Sequence, residues 1–230
     1  MLDTMIDIRE NLARIIERIK NASGNRNNVK LIAVSKTKSA ELIMEAFRAG
    51  QTRFGENRVQ EAKEKSAQLP AEIDWHLIGP LQKNKARFCP SIFSTIHTIH
   101  RSDVAKILNE KSVQADRYLD VLIQMNLSGE KSKSGVTSVD DLKRLEDFLM
   151  ECSHLKLTGL MTIGDPNASD AENRKIFARL YEINQTEAKR LGLEKQMVEL
   201  SSGMSADFEL ALKEGATYIR IGSTIFGSRP

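Results

Sequence analysis

Lys36 is the side chain with the most to offer chemically. It ends an apolar run, Leu31-Ile32-Ala33-Val34, separated from it only by Ser35. A lysine held among apolar groups has a destabilised ammonium form, and a neutral amine condenses with an aldehyde to give a Schiff base. Counted by strand alternation, Ile32, Val34 and Lys36 share one side. The competing reading is a strand-end lysine whose amine snorkels to water. Two further stretches are of the type that binds anions: Leu200-Ser201-Ser202-Gly203-Met204-Ser205 and Ile221-Gly222-Ser223-Thr224-Ile225-Phe226-Gly227. Glycine admits a close backbone approach, and hydroxyls add donors. Ordinary turn and cap chemistry would use the same residues. Arg220 lies among apolar neighbours in Tyr218-Ile219-Arg220-Ile221, where a guanidinium needs a ligand or a carboxylate partner. His76 follows Trp75 on a short apolar run and is either a pocket residue or a satisfied core histidine. His97 and His100 are three apart at a strand end, do not share a face, and give no metal-ligand pattern.

These residues must be positioned by something, and the chain alternates short apolar runs with helix-period stretches. Strands are predicted at 29–34, 52–54, 75–78, 95–99, 118–125, 157–162, 197–200 and 217–221. Continuous apolar runs suit strands buried on both faces of a parallel sheet. Helices are predicted at 1–20, 40–49, 58–68, 103–113, 139–152, 171–191 and 206–214, with 81–88 as a poorly defined third crossover. The first carries Met5, Ile6, Ile8, Leu12, Ile15, Ile16 and Ile19 as its apolar face. Ser102 and Ser138 stand at expected N-caps, and Gly50 and Gly215 at expected helix ends. About eight βα units in one chain predict a single closed (β/α)₈ TIM-type barrel spanning 1–230, with an extra N-terminal helix. An open doubly wound sheet would want G-x-G-x-x-G after the first strand, where the chain reads Ser35-Lys36-Thr37-Lys38-Ser39. The polar stretches 131–135 and 164–170 read as mobile βα loops. In a barrel the ligand site lies at the C-terminal strand ends. Lys36, Asn57, Met161, Ser201 and Arg220 all fall there, and the two Gly/Ser-rich loops follow the seventh and eighth strands, where barrels commonly bind phosphate.

The composition is that of an ordinary folded domain: 230 residues, 40% hydrophobic, 28% charged, formal net charge +3. Charges of both signs are interspersed, which argues against a nucleic-acid surface. Cys89 and Cys152 make neither a disulfide framework nor a zinc site. Acidic residues interrupt the N-terminal helix, so it reads as neither a secretory signal nor a transit peptide. No apolar run approaches the ~20 residues of a membrane span. The expectation is a cytoplasmic, monomeric protein with no membrane or metal partner.

Six ordered motifs carry a resemblance over nearly the whole chain: Leu-Ile-Ala-Val-Ser-Lys-Thr-Lys (31–38), Phe-Gly-Glu-Asn-Arg-Val-Gln-Glu (54–61), Trp-His-Leu-Ile-Gly-Pro-Leu-Gln-Lys-Asn-Lys (75–85), Gly-Leu-Met-Thr-Ile (159–163), Gly-Met-Ser-Ala-Asp-Phe-Glu (203–209) and Arg-Ile-Gly-Ser-Thr-Ile-Phe-Gly (220–227). The chain resembles the pyridoxal phosphate homeostasis protein family, which is similar to the barrel half of alanine racemase and of fold-type III decarboxylases. The resemblance implies pyridoxal 5′-phosphate (PLP) held covalently on Lys36. It implies that Ser201, Gly222, Ser223 and Thr224 hold the phosphate, with backbone help from Gly203. Arg220 would face the pyridine nitrogen, Asn57 would lie near the ring face, and Met161 and His76 would line the pocket. Where the family reads Leu-Ser-Met-Gly-Met-Ser, this chain has Ser202, which either adds a hydroxyl contact or loosens an apolar wall.

The same residues bear on turnover. PLP enzymes that stabilise a carbanion usually keep the ring nitrogen protonated through an acidic partner. Arginine cannot accept that proton, so Arg220 at the nitrogen would make the ring a poor electron sink. Alanine racemase tolerates such an arginine with a second base from an additional domain, and here the sequence ends at Pro230. The expectation is a protein that binds, buffers and hands over PLP to PLP-dependent apoenzymes, with no catalytic residue assigned. A weak racemase or lyase on the same barrel is the alternative, and a cofactor-free Schiff-base aldolase is a third reading.

Overall fold

Each of the eight apolar runs forms a strand in the computed structural model, which describes residues 7–130 and 134–227. In chain order these are β1 (Lys30–Val34), β2 (Arg53–Glu56), β3 (Asp74–Leu77), β4 (Thr95–Ile99), β5 (Leu119–Gln124), β6 (Leu155–Met161), β7 (Glu199–Ser201) and β8 (Tyr218–Ile221). Every adjacent pair is parallel, and β8 closes onto β1 with Ile32 beside Arg220. The apolar residues separate into two layers, as a closed barrel requires. Ile32, Leu122, Met161 and Tyr218 pack inside it, whereas Ala33, Ile219 and Ile221 face outward into the larger core under the helices. The alternation expected for β1 therefore holds, with Ile32 and Val34 facing the lumen and Lys36 continuing on that side.

The helices are α1 (Ile8–Ser23), α2 (Ala40–Arg48), α3 (Val59–Ser66), α4 (Ser102–Gln114), α5 (Val139–Met150), α6 (Asp170–Leu191), α7 (Phe208–Lys213) and α8 (Ser223–Phe226). In α1, Ile8, Leu12, Ile15 and Ile19 are buried at helical spacing, each contributing about 1.5–3 kcal/mol. Ile16 faces solvent, and Met5 and Ile6 lie outside the described residues. The Asn11 amide donates to the Ile225 carbonyl at 3.1 Å, tying α1 to α8. Ser138 caps α5 by accepting from the Asp141 N–H. Ser102 is instead the first residue of α4, whose N-cap is Arg101 without a side-chain bond. The third crossover is a 3₁₀ turn, Ala86–Ser91, not a helix at 81–88. Pro90 removes an N–H donor and blocks an α-helix there. Of the predicted 131–135 loop, residues 131–133 lie outside the described residues. No helix among the described residues is long and apolar enough to cross a membrane.

Candidate functional site

At the C-terminal mouth of the barrel a cavity of about 370 Å³ is lined by Lys36, Asn57, Met161, Arg220, Gly222 and Ser223, with Val34, Ile78 and Ile163 as apolar wall. Size alone does not select it. A cavity of about 750 Å³ lies by Tyr181 and Gly215, and one of about 450 Å³ by Arg101 and Arg144. The first holds no strand-end residue, and in the second the arginines are already paired with Asp103 and Asp141. Of these three, the mouth cavity is the one that joins a lysine amine, a buried guanidinium and hydroxyl donors on one lumen.

The backbone on both sides of Lys36 is gripped by α3. Lys65 Nζ donates to the Ser35 carbonyl at 2.8 Å, to Glu56 Oε1 at 2.8 Å and to Glu61 Oε1 at 2.6 Å. Ser35 Oγ donates to Glu56 Oε1 at 2.6 Å, and the Thr37 N–H donates to Glu61 Oε1 at 2.6 Å. Thr37 has φ +63°, a left-handed conformation that strains a β-branched residue. The Glu61 carboxylate holds it there. Glu56 is fully buried, and burial pushes its carboxyl up, opposed by Lys65 and Ser35. Its Oε2 is buried without a hydrogen-bond partner, which also disfavours the charged form. Lys38 Nζ donates to the carbonyls of Phe226 and Gly227 at 3.1 and 3.2 Å, joining the Lys36 loop to α8. On the neighbouring strands, Gly79 lets Asn57 into the mouth, because a Cβ at Gly79 would lie 2.3 Å from the Asn57 carbonyl oxygen.

Arg220 projects from β8 into the lumen and is 4% exposed. It donates to Ser201 Oγ at 2.6 Å and to the Thr162 carbonyl at 3.0 Å. Among the described residues no carboxylate forms an ion pair with it. Burial lowers its pKa to about 10, and the more distant Asp207 opposes that shift. Behind it, Ser201 Oγ lies 2.8 Å from His97 Nδ1, His97 Nε2 lies 2.9 Å from His76 Nδ1, and His76 Nε2 lies 3.2 Å from Asp74 Oδ2.

The other residues expected at the site lie around and beneath the cavity. His76 is buried one layer beneath the cavity, between His97 and Asp74, and is not a wall of it. The Ser201 hydroxyl is engaged by Arg220 and His97. Ser202 and Gly203 form the buried turn beneath the mouth: the Ser202 N–H donates to the Tyr218 carbonyl and the Gly203 carbonyl accepts from the Arg220 N–H. Gly203 has φ +87°, and a Cβ there would meet Phe208 Cα at 2.8 Å. Thr224 is half-buried and does not line the cavity. Ser205 lines the cavity beside Ser223, with the two hydroxyls 3.4 Å apart. Two residues escaped sequence reasoning. His97 was hidden because all five residues of β4 are buried, which erases the inward–outward pattern. Ser205 lay within a quoted motif but on a turn, where no periodicity assigns a direction. Among the described residues no group of three or more His, Cys, Asp or Glu could hold a metal ion.

Residues 7–230 match the alanine racemase N-terminal domain family. The chain is 41% identical to the pyridoxal phosphate homeostasis protein of Pseudomonas aeruginosa, covering 98% of this chain and 97% of that one. It is 40% identical to the protein of the same name from Haemophilus influenzae, covering 97% of each. Among solved structures it is similar to Synechococcus elongatus PipY with PLP bound, at 35% identity and TM-score 0.87, over 96% of this chain and all of that one.

Proposed function

The chain belongs to the pyridoxal phosphate homeostasis protein family, and on that premise we propose that it holds PLP at the barrel mouth, covalently on Lys36, and releases it to PLP-dependent apoenzymes. When bound, PLP supplies an aldehyde that condenses with a primary amine, a phosphate dianion and a pyridine ring. The residues at the mouth fit each of the three. Lys36 offers the amine, and α3 fixes the backbone on both sides of it. Ser205 and Ser223 bring two hydroxyls to one side of the cavity, and Gly222, which carries no Cβ, lets backbone approach there. Arg220 stands at the inner end of the lumen with donors only. The single observation that carries the reading is the meeting of Lys36, Arg220 and this hydroxyl pair in one cavity.

The role follows from the same side chains. Arg220 would donate to the ring nitrogen and could not share a proton as a carboxylate does, so the ring would stay unprotonated. A ring of that kind withdraws electrons weakly. Val34, Ile78, Met161 and Ile163 supply an apolar wall without an acid or a base. Retention of an aldehyde cofactor, with release by exchange, is the chemistry such a site serves. PLP added to the purified protein should give a visible absorbance band that borohydride discharges, absent in Lys36→Ala. A band of equal intensity in Lys36→Ala would overturn the assignment.

A further inference from the structure

The hydrogen-bond chain behind Arg220 has a direction fixed by its two ends. Arg220 only donates, so Ser201 Oγ accepts from it at 2.6 Å. The single Ser201 hydroxyl proton then has His97 Nδ1, at 2.8 Å, as its acceptor. His97 therefore carries its proton on Nε2 and donates to His76 Nδ1 at 2.9 Å. That leaves His76 with its proton on Nε2, donating to Asp74 Oδ2 at 3.2 Å. At the far end Asp74 also accepts from Ser94 Oγ and lies 3.5 Å from Arg53 Nε. Against the opposing effect of burial, the hydrogen bond from His76, with Ser94 and Arg53, holds its carboxyl down at about 2. Burial keeps His97 neutral, and the charges of Arg220 and Lys30 act in the same direction. Both imidazoles pack against the Tyr218 ring at steep interplanar angles, with centroids 5.4 and 5.1 Å away.

We propose that Asp74, His76 and His97 are positioning residues that hold Arg220, through Ser201, in a donor-only orientation toward the ring nitrogen of the bound cofactor. This inference rests on the function proposed above. It adds that the anchor of the upper site is a carboxylate at the opposite mouth of the barrel, where the Asp74 side chain is 34% exposed. The physical reason is the cost of burying a guanidinium without a carboxylate beside it. Successive polarised hydrogen bonds carry part of the Asp74 charge inward. A carboxylate placed directly against Arg220 would instead compete with the cofactor for its donors.

Two measurements separate this inference from the reading it builds on. Long-range ¹H–¹⁵N spectra of the full chain, ¹⁵N-labelled at histidine and without added cofactor, should show His76 and His97 as neutral Nε2–H tautomers. In Asp74→Asn the His76 tautomer preference should weaken, because an amide accepts or donates. Loaded with PLP, His97→Leu should shift the visible absorbance maximum and weaken PLP retention about tenfold, because Ser201 loses the acceptor that orients its hydroxyl oxygen toward Arg220. His97→Gln, whose amide keeps an acceptor and a donor of similar reach, should restore both in part. An Nδ1–H tautomer at His97 would overturn the relay. So would a His97→Leu spectrum and affinity unchanged from the parent, in a protein whose band is lost in Lys36→Ala. No visible band in the parent protein, with the tautomers as stated, would overturn PLP binding and with it the positioning role.

Discussion

Lys65→Met removes the hub of the Lys36 grip, and its cost can be worked from the contacts. The ammonium donates to Glu56, Glu61 and the Ser35 carbonyl, and the residue is 8% exposed. Removing one partner of a buried ion pair costs about 3–5 kcal/mol, because the other charge stays behind. Glu61 is a quarter exposed and adds less than about 1 kcal/mol. Glu56 can escape by binding a proton, which its raised pKa already favours. We therefore expect a loss of about 3 kcal/mol at pH 8, near the lower end of that range. The loss should shrink on acidification. A carboxyl whose folded pKa lies above its ordinary value of 4.5 favours folding below that ordinary value, and the benefit is lost as pH rises through the folded one. Urea unfolding followed by circular dichroism at several pH values measures this directly. A loss below about 1 kcal/mol at pH 8, typical of an exposed pair, would refute the reasoning. So would a loss independent of pH. In the parent protein Thr37→Gly should recover about 1 kcal/mol of backbone strain, and less in Lys65→Met, where freeing Glu61 lets Thr37 relax.

Other outcomes follow from the same geometry. Replacing Ser205 and Ser223 together by alanine should weaken PLP binding by about 1–2 kcal/mol per lost charge-assisted bond and leave pyridoxal binding unchanged; titrations with the two ligands check it, and equal losses for both would contradict the anion cradle. Arg220→Glu should alter the absorbance of the PLP-loaded protein and raise its reactivity toward amino acids, and an identical spectrum would count against Arg220 at the ring nitrogen. Glu146 on α5 is fully buried between Glu187 and Arg190, and burial pushes its pKa up to about 8. Its proton stabilises the fold below the ordinary carboxyl range, and that stabilisation is lost as pH rises through about 8. Thermal unfolding should accordingly show Tm falling across that range, more steeply than in Glu146→Gln. Polarimetry over a panel of L-amino acids should show no loss of rotation, and racemisation would favour an enzyme.

The barrel was legible because parallel strands buried on both faces write continuous apolar runs, and all eight runs became strands. The weak points were physical. Pro90 turned the third crossover into 3₁₀ turns, and α8, at four residues, is too short to show a period. Lys36, Asn57, Met161, Arg220, Gly222 and Ser223 converge as their strand-end positions imply. The contacts of Ser201 and His76 could not be read from sequence, since both run to His97, which is distant in the chain and lies on a uniformly buried strand. The strain at Thr37 was equally invisible, because it exists only through Glu61 on the next helix.

Borohydride reduction of the PLP-loaded protein, followed by proteolysis and mass spectrometry, tests the central claim most directly. One stable phosphopyridoxyl adduct on the peptide containing Lys36 is the expected result. A principal adduct on any other lysine, or none at all, would contradict it.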